Sequence, residues 1–129
     1  MVRAIVFEGN HVWCATEGGV LRWDKTDGTY EKYTTVNGMG GNVVYSAAGD
    51  KNGVIWFGTR DGGVSWLDGT TWNHYSYGTG NGIKAAIPSG WKLLRQDAEN
   101  GYAELTNGQS VIAVQQIKDQ AAVSDIGHG

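Results

Sequence analysis

The sequence is poor in proline, cysteine and charge, and it holds no long apolar run. Cys14 is the one cysteine in 129 residues, so an intrachain disulfide and a paired-cysteine zinc site are both excluded. It lies in the apolar string Val12-Trp13-Cys14-Ala15 and reads as a small buried hydrophobe rather than a reactive thiol. Charged residues make up only 18% of the chain, ten Lys and Arg against thirteen Asp and Glu, with no basic cluster. A nucleic-acid groove needs clustered positive charge to displace counterions, so that partner class is excluded. No stretch approaches the about 18 apolar residues of a membrane-spanning helix. The start, Met1-Val2-Arg3-Ala4-Ile5-Val6-Phe7-Glu8, is interrupted too early for a signal peptide. A complete chain is therefore expected in the cytoplasm, and a fragment says nothing on this point.

What is abundant is glycine, 21 residues with one proline. The excess has no G-x-y period and sits among Trp, Tyr and Val, which argues against collagen and against disorder. Short strands joined by tight turns are the alternative. The chain also repeats itself. His11-Val12-Trp13-Cys14-Ala15-Thr16 matches Val54-Ile55-Trp56-Phe57-Gly58-Thr59 at an offset of 43. Gly18-Gly19-Val20-Leu21-Arg22-Trp23-Asp24 matches Gly62-Gly63-Val64-Ser65-Trp66-Leu67-Asp68, and Gly28-Thr29-Tyr30 matches Gly69-Thr70-Thr71-Trp72. Each unit reads as four strands, in the second unit 43–48, 54–59, 63–67 and 71–77, divided by Asn-Gly and Asp-Gly turns that supply positive φ. The string Val54-Ile55-Trp56-Phe57 is apolar without alternation, which predicts a strand covered on both faces. The fold class is thus all-β, built of β-propeller blades. A β-sandwich also uses short strands but should not repeat at one blade length.

The residues Asp50-Lys51-Asn52-Gly53-Val54-Ile55-Trp56-Phe57-Gly58-Thr59, Gly62-Gly63-Val64 and Asn37-Gly38-Met39 resemble the two-component regulator propeller repeat, over about residues 1–82. The resemblance implies blades. In that family such blades form periplasmic sensor heads of histidine kinases, and related propellers bind glycans or act as scaffolds. A periplasmic location is what it implies for a fragment of such a head.

Blade 1 is read as residues 1–42 and blade 2 as 43–82. Residues 83–129 form either a divergent third blade or a β-rich extension. The third-blade reading lays Asp97-Ala98-Glu99-Asn100-Gly101-Tyr102-Ala103-Glu104-Leu105-Thr106 on 50–59, with 91–96 as first strand and 110–115 as third. The rival reading puts a helix or tail over 115–124. The Asn107-Gly108 hairpin is common to both.

Two or three blades leave apolar faces open. A face on the order of 500 Å² left wet forfeits about 12 kcal/mol. Self-association closing a ring, a homo-oligomer, is therefore expected.

Little points to catalysis. His11, His74 and His128 have no metal-ligand spacing, and Asp50 reads as a turn cap rather than a calcium ligand. Gly38-Met39-Gly40-Gly41 and Gly78-Thr79-Gly80-Asn81-Gly82 read as links between blades. Glu17, Asp61 and Glu104 occupy similar turn regions and read as solvated. No catalytic residue, metal or cofactor is assigned. The aromatic residues late in each unit are the candidate ligand-binding set: Trp23, Trp66, Trp72, His74, Tyr75 and Tyr77. Their flat faces beside polar neighbours suit a sugar, small-molecule or protein ligand. The leading expectation is a non-catalytic binding or scaffold module. A lyase or hydrolase at the ring mouth and a purely self-assembling protein are the alternatives.

Overall fold

The computed structural model describes residues 1–50, 53–60, 62–75, 87, 90–97, 99–117 and 120–127. These form three four-stranded antiparallel meanders. Blade 1 contains β1 (Val2–Glu8), β2 (His11–Thr16), β3 (Gly19–Asp24) and β4 (Tyr30–Tyr33). A single 3-10 turn, Thr35–Asn37, capped by the Thr34 hydroxyl, leads to blade 2. Blade 2 contains β5 (Val44–Gly49), β6 (Ile55–Thr59), β7 (Val64–Asp68) and β8 (Thr71–Tyr75). The third sheet contains β9 (Lys92–Asp97), β10 (Tyr102–Thr106), β11 (Val111–Ile117) and β12 (Gln120–Gly127). In place of a helix or tail, the described residues of 115–124 are strand: β11 ends at Ile117 and β12 begins at Gln120.

Blade 2 lies between the other two sheets. Ile55, Trp56 and Phe57 are all essentially inaccessible, as an apolar strand without alternation requires. Ile55 and Phe57 pack with Trp13, Ala15 and Val20 of blade 1. Trp56 and Trp66 pack with Ala103, Leu105, Ile112 and Val114 of the third sheet. Between blades 1 and 2 four rings form a closed circuit: Trp13–Tyr33, Tyr33–Trp72, Trp72–Phe57 and Phe57–Trp13, with centroids 5.3–6.1 Å apart.

The threonine of the Trp-x-x-Thr motif has a definite task. Thr16 Oγ1 donates to the carbonyl of Gly19 at 2.8 Å and accepts from the amide of Gly18 at 3.0 Å. Thr59 repeats both bonds with Gly63 and Gly62. Thr106 repeats them again with Ser110 and Gly108. One hydroxyl thus holds the turn between second and third strands in every sheet, and the third sheet is a copy of the same meander.

That third copy is turned over. In blades 1 and 2 the inner strand is the first one, and β1 and β5 approach each other. In the third sheet the strand against β5 and β6 is the last, β12. The Ser46 hydroxyl donates to the Ala121 carbonyl at 3.2 Å and accepts from the Val123 amide at 3.1 Å. A Cβ on Gly58 would lie 1.9 Å from the Ala121 carbonyl oxygen, so only glycine lets β12 dock. The reversal also turns the sheet's face. Trp13 and Ala15 precede their threonine by three and one residues, as Trp56 and Gly58 do. We call the side bearing them the lead face. The same positions in β10 are Ala103 and Leu105, and they point back at Trp56. Blade 2 and the third sheet therefore meet lead face to lead face, whereas blade 1 meets blade 2 lead face to opposite face.

Gly58→Ala is expected to cost about 2–3 kcal/mol through this overlap, read as a lower denaturation midpoint with loss of amide protection in β12. Gly69→Ala, at φ +65° with open space around its Cβ position, should cost only about 1 kcal/mol of backbone strain.

Candidate functional site

Cross-strand register sorts the side chains of blade 1 onto two faces. The lead face carries the rows Val6–Trp13–Arg22–Glu31 and Ala4–Ala15–Val20–Tyr33. The opposite face carries Ile5–Cys14–Leu21–Lys32 and Phe7–Val12–Trp23–Tyr30. In blade 2 the row equivalent to Phe7–Val12–Trp23–Tyr30 is Gly49–Ile55–Leu67–Trp72, and blade 1 covers it. In blade 1 no described element covers the row. Phe7 is 72% exposed, Tyr30 58%, Ile5 53% and Trp23 38%. Trp23 and Tyr30 pack ring against ring at 4.9 Å, and the Lys25 ammonium stands 5.9 Å from the Phe7 ring. The row is thus a contiguous apolar face open to solvent. Cys14 is buried on the same sheet, and burial pushes its thiol pKa up, away from the reactive thiolate. At the edge of the blade a small polar pocket of about 80 Å³ is lined by His11, Arg22, Asp24, Thr29, Tyr30 and Glu31, of which His11, Arg22, Asp24 and Glu31 belong by register to the lead face.

The lead face of blade 1 is closed by a polar clasp at its outer edge. Arg22 lies over the rings of Trp13 and Tyr33 at 5.6 and 5.9 Å and pairs with Glu31 at 3.1 Å. The Tyr33 hydroxyl donates to Glu31 at 2.8 Å. Burial first, and then this bond, raise the phenol pKa and keep it a donor.

The outward face of the third sheet is different in kind. Arg95 Nε pairs with Glu104 at 3.0 Å, and the Tyr102 hydroxyl donates to the same carboxylate. Asp97 accepts from the Asn100 side chain at 2.7 Å and from its amide at 3.3 Å, which lowers its pKa. Gln115 donates to the Asn100 carbonyl at 2.8 Å. Arg95, Asp97, Asn100, Tyr102 and Gln115 line an open groove of about 450 Å³. They satisfy one another, as on a solvated cap.

The five candidates among the described residues do not form one site. Trp23 is on the open face of blade 1. Trp72 and His74 lie on the blade 2 face turned to blade 1: Trp72 belongs to the four-ring circuit, and His74 Nδ1 sits 3.2 Å from the Gly38 carbonyl. Trp66 is 2% exposed, and Tyr75 packs partly buried beside it, both against the third sheet. Tyr77 lies outside the described residues, as do Asp61, residues 78–82 and His128. Glu17 pairs with Arg3 at 2.8 Å. Asp50 caps its turn by accepting from the Val54 amide at 3.0 Å. Among the described residues no group of three or more His, Cys, Asp or Glu could hold a metal. Phe7 and Ile5 are absent from the sequence-derived set. The signal was the repeat itself: β1 supplies the first strand of a row whose blade 2 counterpart is buried.

Residues 38–61 match the family model for the two component regulator propeller. The match spans the link into blade 2, β5 and β6, and it identifies the repeat that the sequence shows. No curated protein and no solved structure matches the chain.

Trp66→Ala should cost about 3–5 kcal/mol by emptying a buried site. Trp23→Ala should change the unfolding free energy by less than about 1 kcal/mol while lowering binding of a hydrophobic dye. Paired denaturation and dye titrations check both.

Proposed function

We propose that the chain is a non-catalytic β-propeller scaffold module that binds through the open face of blade 1. The observation that carries this reading is the row Phe7–Val12–Trp23–Tyr30: it is exposed, and its counterpart in blade 2 is an inter-blade contact. The reading as a module without chemistry is supported by the groups whose pKa values shift. Asp27, Tyr33 and Cys14 stand apart; Asp97 and Tyr102 face each other across β9 and β10 in one open groove, but their shifts come from separate bonds with Asn100 and Glu104. An active site couples such groups to one another in one cleft.

A second reading, glycan or small-ligand recognition, is favoured by the exposed Trp23–Tyr30 ring pair. Flat rings of this kind suit stacking of a pyranose. Substitutions on the same surface separate the two readings. Trp23→Ala should lower retention on immobilised oligosaccharides at least several-fold if the ligand is a sugar. Phe7→Glu should abolish protein association through the face and leave sugar retention, centred on Trp23 and Tyr30, in place. Protein association that survives Phe7→Glu would refute the scaffold reading.

A further inference from the structure

The architecture leaves the chain with two outward faces, and both are of the same kind. Because the third sheet is turned over, its lead face is spent on blade 2, and it shows its opposite face to solvent. Blade 1 also shows its opposite face. No lead face is free among the described sheets. A head-to-tail ring needs a lead face at one end and an opposite face at the other, and the third sheet brings the polar Arg95, Tyr102, Glu104 and Gln115 to the position where the lead face would be. That argues against ring closure through this end.

Resting on the reading of blade 1 as a binding face, we propose that its partner is a second copy of the same chain, paired blade 1 to blade 1 about a two-fold axis. Like-to-like packing is already present within the molecule, where blade 2 and the third sheet join lead face to lead face around Trp56, Trp66 and Leu105. A two-fold axis brings each copy's exposed Ile5, Phe7, Trp23 and Tyr30 against the same residues of the other. The result is a row of six sheets with a polar, self-satisfied surface at both ends, so growth stops at two. Four strands about 4.8 Å apart and roughly five residues long present about 300 Å² in projection, so two copies cover about 600 Å². That is below the range of standard specific interfaces, so pairing is weak and concentration-dependent.

Light scattering on the full chain at about 10 and about 200 μM tests this. The expected mass rises toward twice 13.9 kDa and no further. The double variant Phe7→Glu/Trp23→Glu should remain monomeric with unchanged far-ultraviolet dichroism. If it does not fold, Tyr30→Lys, at the exposed edge of the same row, serves instead. Glu104→Gln, on the far face of the third sheet, should pair like the parent. Growth beyond two copies, or loss of pairing in Glu104→Gln, would show head-to-tail contacts and overturn the two-fold arrangement. A monomer at the higher concentration also overturns it. In that case dye binding that Phe7→Glu removes would leave the face as a site for another protein, and dye binding that it does not alter would remove the face altogether.

Discussion

Everything in this fold depends on β6 being covered on both sides. A strand reading Ile55-Trp56-Phe57 has no face that tolerates water, so blade 2 requires a sheet on each flank. Blade 1 provides one flank through Trp13, Ala15 and Val20. The third sheet provides the other through Ala103, Leu105, Ile112 and Val114. Burying Trp56 and Phe57 contributes several kcal/mol on the usual area scale, a large share of the 5–15 kcal/mol by which a small domain is stable. The backbone permits this only because Gly58 carries no Cβ where the Ala121 carbonyl arrives. Ser46 converts the same closeness into two hydrogen bonds.

The three threonine turns show how a local device survives a change of global placement. Thr106 makes the same two bonds as Thr16 and Thr59, although its sheet is reversed both radially and in the face it turns to blade 2. The turn fixes the meander, and the meander is indifferent to which edge lies inside. Orientation is set elsewhere, by which side can be dry. In the third sheet the dry side is the one with Ala103, Leu105, Ile112 and Val114. Burying the side with Arg95, Glu104 and Tyr102 against Trp56 would strip water from the Arg95–Glu104 ion pair, a desolvation cost that an apolar contact does not return. The distribution of polar side chains therefore selects the reversed placement.

Much of the fold was legible before any coordinates. The repeat, the strand positions in blade 2 and the double-sided burial of β6 follow from 3.3 Å strand geometry, Asn-Gly and Asp-Gly turns and an unbroken apolar string. The reversal of the third sheet was not legible as a strand pattern, because strand periodicity reports which residues share a face and not which way the face points. The alternation of Ala103 and Leu105 with Tyr102 and Glu104 was visible; the identity of its dry partner was not. The candidate site was read less well for a related reason. Aromatic residues late in each unit looked equivalent, yet Trp23 stands on an open face while Trp66 and Trp72 stand in two different inter-sheet contacts, because Trp66 occupies the register position of Arg22 and Trp72 that of Tyr30. Register, not residue type, separates core from surface here.

Comparing equivalent rows gives a sharper rule for such repeats. In blade 2 the row Gly49–Ile55–Leu67–Trp72 is apolar and covered. In blade 1 the row Phe7–Val12–Trp23–Tyr30 is as apolar and is open. In the third sheet, Asp97, Tyr102 and Gln115 occupy adjacent positions of a row across the outward side, and that row is polar. Had both ends been meant for water, blade 1 would be expected to carry residues like those of the third sheet at Phe7 and Trp23. It carries large rings instead, whose contacts within the blade are confined to the Trp23–Tyr30 pair and Lys25 over Phe7. Those contacts leave the rings largely exposed, which is the physical basis for reading the face as a binding surface.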